Sequence, residues 1–202
     1  MKILAFDTCL DKMYVVLKDG ETLLASEIVE NQGSKYHSAF LISTIQRVLS
    51  ENNLKPQDLD LIATNIGPGS FTGIRACTTV ARVMAQQLSC KVVGVSSLEI
   101  LAKALNCENP LVALDARKNS AYLYVDGEIK GAIQLEEVKK LIESGEYKVL
   151  TDDKLQPILG GVSYQQEKLP LGEILAELAQ QKNTDGDWRK LKPLYIQPPP
   201  MG

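Results

Sequence analysis

The chain has 202 residues, 45% of them hydrophobic and 23% charged, with a formal charge of −3. That size and composition suit one large globular domain or two small lobes, each with its own core. The acidic balance excludes a stand-alone nucleic-acid binder with a basic face. The single histidine, His37, excludes every two-histidine metal motif.

Arg189, Lys190 and Lys192 beside Trp188 form a short basic cluster that reads as a solvated chain end. No apolar run approaches the roughly 18 residues that span a bilayer, and the start lacks the pattern of a signal peptide. A cytoplasmic protein with no membrane partner is expected. Cys9, Cys77, Cys90 and Cys107 lie far apart without a C-x-x-C pair, the pattern of buried free thiols rather than of a zinc knuckle or redox motif.

In chain order, Lys2–Thr8 is a short apolar strand that stops at Asp7. Met13–Lys18 and Thr22–Val29 follow around the hairpin signal Asp19-Gly20, giving a three-strand antiparallel meander. Asn31–Lys35 is a loop. Tyr36–Asn52 is helical, with Leu41, Ile42, Ile45, Val48 and Leu49 on one face and Phe40 opposite, beside Ser43, Thr44 and Arg47. Leu59–Asn65 is a strand that runs into the glycine-rich stretch Gly67-Pro68-Gly69-Ser70-Phe71-Thr72-Gly73.

Ser70–Leu88 is a second long helix with the core stripe Ile74, Cys77, Ala81, Met84, Ala85 and Leu88. Its opposite side carries Ala76, Thr79, Val80 and Val83, which are small or β-branched rather than charged. A helix packed on one sheet is polar outside, so this second strip asks for another helix. Lys91–Val95 is a strand, a helix runs from Ser96 to about Leu105, and Asn106–Pro110 is a linker. Three strands followed by alternating helices and strands give the order of a ribonuclease-H-like lobe.

The opening pattern then returns. Leu111–Asp115 (LVALD) matches Ile3–Asp7 (ILAFD), Tyr122 stands as far beyond Asp115 as Tyr14 beyond Asp7, and Asp126-Gly127-Glu128 repeats Asp19-Gly20-Glu21. The second copy continues with a strand at Ile129–Gln134, a helix at Leu135–Ser144 and a strand at Tyr147–Leu150. An irregular segment over 152–169, a helix at Leu171–Gln181 and an extended proline-rich tail at Pro193–Gly202 complete the chain. Two lobes are expected: residues 1–106, and a reduced lobe with its tail over 107–202. Such an α/β pair of ribonuclease-H-like lobes resembles the actin-like ATPase (ASKHA) superfamily, where nucleotide lies between the halves. Asp7 then has two readings, a metal or phosphate neighbour assisted by Thr8, or a strand-end acid capping a turn.

The glycine stretch is not a P-loop, because no lysine follows Gly73. Its amides at Gly67, Gly69, Ser70 and Thr72 can still face an anion at the start of a helix. Ser70 has one conceivable base, His37, which does not establish a hydrolase. Three functional classes follow: a partner subunit, a nucleotide hydrolase using Asp7, Thr8 and this loop, or a peptidase-like enzyme.

Several motifs in one order narrow the choice: Ile3-Leu4-Ala5-Phe6-Asp7-Thr8, the His37 region, Gly67 to Arg75, Asp115-Ala116-Arg117 and Pro193-Leu194-Tyr195. With them the sequence resembles the TsaB (YeaZ) family, the bacterial partner subunit in synthesis of N6-threonylcarbamoyladenosine next to the tRNA anticodon. It departs from the family pattern at Cys9 (usually Ser), at Ala76-Cys77 (commonly Ile-Gly) and at Gln197 (often Arg). The resemblance implies a scaffold and activator without activity of its own. The catalytic paralogue TsaD binds metal through H-x-x-x-H, which one histidine does not supply. It also implies dimerisation through the first lobe, with TsaD or as a homodimer in isolation, and joining by the ATPase TsaE. tRNA is then contacted through the complex, with no cofactor of this chain's own and ATP/ADP and Mg at the level of the complex. The expected interface is His37, Phe40, Thr44, Arg75, Ala76, Thr79, Val80 and Val83.

Overall fold

The computed structural model describes residues 1–30, 36–182 and 184–197, so the expected loop Asn31–Lys35 and residues 198–202 of the tail lie outside the described residues. In chain order the elements begin with β1 (Lys2–Asp7), β2 (Met13–Asp19), β3 (Thr22–Val29), α1 (Leu41–Glu51), β4 (Leu61–Asn65), α2 (Phe71–Leu88), β5 (Lys91–Val95) and α3 (Ser97–Ala104). Then come β6 (Pro110–Asp115), β7 (Ser120–Val125), β8 (Glu128–Gln134), α4 (Leu135–Ser144), β9 (Lys148–Thr151), α5 (Gln156–Leu159), β10 (Val162–Ser163) and α6 (Leu171–Gln181).

The first sheet has the order β3-β2-β1-β4-β5, with β1 to β3 antiparallel and β4 and β5 parallel to β1. Alternation sorts its side chains. Leu4, Phe6, Met13, Val15, Leu17 and Ile62 form a core with Leu41, Ile45, Val48 and Leu49 of α1 and Ile74, Cys77, Ala81 and Ala85 of α2. Helix α6 packs against β1, β2, β4 and β5, where Gly172 lies against Tyr14 and Val16. The second sheet repeats the scheme as β10-β9-β6-β7-β8, with α4 and the α5 segment packed on Leu111, Ala113, Ala121, Leu123 and Val125. In both sheets the register shifts in the second hairpin, at Leu17/Lys18 and at Leu123/Tyr124. The turn of the second copy has Asp126 and Gly127 both at positive φ, the backbone that a two-residue hairpin requires.

The chain divides into two compact units, Met1–Ser97 with Leu171–Leu194, and Leu98–Pro170 with the chain from Tyr195 on. This differs from the expected boundary at 106/107. The apolar stripe of α6, with Leu175 and Ala176 fully buried, closes the first unit, so the chain returns after building the second. The segment 152–169, expected to be irregular, contains α5 and the short β10, which pairs parallel with β9. Among the described residues no helix is long and apolar enough to cross a membrane.

The first helical segment differs too. A 3-10 turn at His37–Phe40 precedes α1, so the α-helical projection does not extend back to Phe40. Phe40 packs against the core instead of standing exposed on a polar face. Within α1, Thr44 is buried and Ile42 is 59% exposed, the reverse of the expected assignment. Residues 41, 44, 45, 48 and 49 make the narrower inward stripe, and position 42 lies about 100° from Leu41.

Candidate functional site

Two features of the first unit concentrate the residues singled out in the sequence: the turn after β1 and the glycine loop before α2. They are packed against each other. The amide of Ser70 donates to the Cys9 carbonyl at 2.7 Å, and Thr8 Oγ1 donates to the Gly73 carbonyl at 2.8 Å. A Cβ at Gly69 would overlap the Cys9 carbonyl oxygen, and one at Gly73 the Thr8 carbonyl oxygen. Glycine is required here because backbone meets backbone. Gly73→Ala therefore forces either chain to shift, and we expect it to lower stability by about 1–3 kcal/mol or more, measured by urea unfolding.

Asn65 is the hub of this contact. Its Nδ2 donates to Asp7 Oδ2 at 2.9 Å, while its Oδ1 accepts from Gly67 N at 2.8 Å and from Ser97 Oγ at 3.0 Å. Asp7 Oδ1 accepts the Cys9 amide at 2.6 Å, which satisfies the strand-end acid as the cap of its own turn. Asp7, Thr8 and Asn65 are all buried. The Gly67–Pro68 peptide is cis, and Ile66 beyond the strand binds Val95 and Leu194 through its backbone. Ser70 caps α2 by accepting the Gly73 amide at 3.2 Å.

The residues expected to face nucleotide thus divide. Thr8 and Gly69 are committed to the contact between turn and loop, the Ser70 hydroxyl caps α2, and Gly67 N is held by Asn65; Thr72 is exposed. Burial is the main cause that pushes the Cys9 thiol well up, reinforced by the Cys77 side chain and the Asp7 carboxylate. In the sequence Asn65 stands out only as the end of the strand that runs into the glycine stretch. Its role has no local signal, because its partners lie on three separate segments.

The expected partner face also divides. On α2, Arg75 and Thr79 are exposed, Val83 is 53% exposed, and Ala76 is half-buried. Val80 packs partly on the core, as does Phe40, and Thr44 is turned inward. The side chain of His37 lies outside the described residues. Ile42, expected on the inward face, is exposed on α1, and Phe71, outside the expected interface, is exposed with the Arg75 guanidinium over its ring at 4.1 Å from the centroid.

In the second unit, the repeat of the Asp7 turn is more open. Asp115 Oδ1 accepts the Arg117 amide at 2.9 Å and Oδ2 binds Lys154 Nζ at 2.9 Å. Arg117, Lys118 and Asn119 follow at positive φ. Burial raises the Asp115 carboxyl, but Lys154 and the Arg117 amide outweigh it and hold it below the usual range. A depressed carboxyl contributes stability above its unfolded value that is lost as pH falls through its folded value. Lys154→Met should move the Asp115 titration, followed by carboxyl NMR, to higher pH. The basic cluster near the end of the chain is neutralised locally, with Arg189 paired to Asp187 and Lys190 to Asp185.

Two sheets of order β3-β2-β1-β4-β5 and its repeat define a pair of ribonuclease-H-like lobes, the actin-like ATPase class of fold. Residues 23–146 match the family TsaD, tRNA N6-adenosine threonylcarbamoyltransferase. The tRNA threonylcarbamoyladenosine biosynthesis protein TsaB of Bacillus subtilis is 34% identical over 124 residues, which are 60% of this chain and 53% of that protein. The Escherichia coli TsaB is 30% identical over 127 residues, 60% of this chain and 53% of the relative. The solved structure of YeaZ from Pseudomonas aeruginosa superposes with a TM-score of 0.73 at 23% identity, over 96% of this chain and 99% of that one. In these sequence matches the chain spans about half the length of the curated relatives. The chain belongs to the TsaD family, within its TsaB (YeaZ) group.

Proposed function

We propose that the chain serves tRNA threonylcarbamoyladenosine synthesis as a non-catalytic subunit that dimerises with a TsaD-type transferase through the outer face of α1 and α2. The observation that carries this reading is the composition of that face. Ile42, Phe71 and Val83 are exposed, with the small residues Ala76 and Thr79 on α2. Small and apolar positions allow two helix pairs to approach closely. The same face accounts for a homodimer in isolation, which the transferase replaces. TsaE joins the assembled pair, ATP/ADP and Mg act at the level of the complex, and tRNA is bound through it.

A stand-alone ATPase or peptidase is less well supported. The turn and loop that such an enzyme needs are packed on each other, and Thr8 donates its hydroxyl proton to a backbone carbonyl. Reconstitution tests the reading. The purified chain alone should show negligible ATP turnover and tRNA modification, whereas adding it to cognate TsaD and TsaE with ATP should raise modification at least tenfold. Robust ATP turnover by the chain alone, abolished by Asp7→Ala, would overturn it.

A further inference from the structure

Cys9 and Cys77 are 68 residues apart (77 − 9) in sequence, yet the fold brings both to the carboxylate of Asp7. One donor atom from each of these three residues lies within 4.8 Å of the other two. All three are buried, at 1% exposure or less. We infer that Asp7, Cys9 and Cys77 form a binding site for one thiophilic divalent metal ion, and that Zn2+ is the ion the donors suit.

Two sulfurs and a carboxylate oxygen are ligand types that zinc takes in protein sites. With Zn–S near 2.3 Å and Zn–O near 2.1 Å, donors around a tetrahedral ion stand about 3.6–3.8 Å apart. A small inward movement of the side chains completes that arrangement. The groups behind the donors already orient them. Thr8 N donates to Cys77 Sγ at 3.1 Å, an N–H···S bond of the kind that steadies a metal thiolate. The Cys9 amide and Asn65 Nδ2 each hold one oxygen of Asp7. Thr8 Oγ1 donates to the Gly73 carbonyl at 2.8 Å and lies 3.1 Å from Cys77 Sγ, which fixes its position beside the cluster.

Binding exchanges the two thiol protons, which leave to solvent, for one Zn2+, so the net charge of the cluster is the same before and after. That balance suits a buried site, where an uncompensated charge is costly. The ion ties the end of β1 to the middle of α2, the two segments that the glycine loop already joins. The site is structural and independent of the proposed partner role.

Co2+ is the direct probe. The full chain, refolded under reducing, oxygen-free conditions with Co2+, should take up one equivalent. It should show thiolate-to-cobalt charge transfer in the near ultraviolet and tetrahedral d–d bands in the visible, all removed by excess Zn2+. Cys9→Ser and Cys77→Ala should each weaken Co2+ binding at least tenfold, with folding checked by circular dichroism. The Cys90→Ser/Cys107→Ser double variant should keep the bands. Because a core variant can fail to fold, X-ray absorption of the Zn2+-loaded parent supplies a second readout, two sulfur scatterers with at least one oxygen. No bands in the parent, bands that depend on Cys90 or Cys107, or a Cys9–Cys77 disulfide in place of bound metal would each overturn the inference.

Discussion

Val83→Glu is expected to abolish association with the proposed TsaD-type partner while leaving the first unit folded. Val83 is 53% exposed on α2, so in the free chain a glutamate there is solvated and costs little. Within a helix–helix interface the same carboxylate loses its water without gaining a cation. An uncompensated buried charge is strongly unfavourable, and we expect a loss of affinity on the order of 100-fold or more. Ala76→Arg acts by volume as well as charge and should behave alike. Size-exclusion chromatography of the chain alone and with TsaD measures the effect, and the melting temperature serves as control. Unchanged association in both variants would rule out the α2 face as the interface. Ile42→Asp on α1 gives an independent test, since α1 and α2 are proposed to act together.

The largest loss of stability is expected from Asn65→Ala. Removing the amide leaves Asp7 Oδ2, the Gly67 amide and the Ser97 hydroxyl without their shared partner in a buried setting. A buried polar group stripped of its partner costs about 1–3 kcal/mol, more when charged, so the sum is on the order of 3–5 kcal/mol. Urea unfolding should show a lower midpoint with an unchanged slope. Asn65→Asp separates the hydrogen-bond role from volume: it keeps the acceptor for Gly67 but sets a carboxylate against Asp7. It should be at least as damaging near neutral pH and recover partly in acid, where one of the two carboxyls is protonated. Equal stability of Asn65→Ala and the parent would show that the loop is held by its backbone contacts alone.

The glycine motif illustrates how far local pattern reaches. Its residues signal a tight connection into a helix, and that connection is present, with Ser70 capping α2. The sequence also shows that the amides of such a loop can face an anion. It does not show that the Thr8 and Cys9 backbone lies against the loop, because that proximity depends on β1 pairing with β4. The partner strip is similar. Val83 and Thr79 are external by the helical period alone, whereas Phe40 is misassigned because a 3-10 turn precedes α1, and Thr44 and Ile42 because the inward stripe of α1 runs through 41, 44, 45, 48 and 49.

By itself the sequence determined the strand and helix order outside the segment 152–169, the duplicated strand ending in Asp, the hairpins and the glycine stretch. Each is written in residues that are neighbours along the chain and obey a period of two, a period near 3.6 or a turn rule. Tertiary structure alone decided that α6 returns to close the first unit and that Asn65 joins three segments. It also decided that Asp7, Cys9 and Cys77 share one buried point. The reason is physical. These outcomes depend on sheet pairing and on which apolar stripe covers which face, and such contacts between distant segments leave no periodic trace in a single chain.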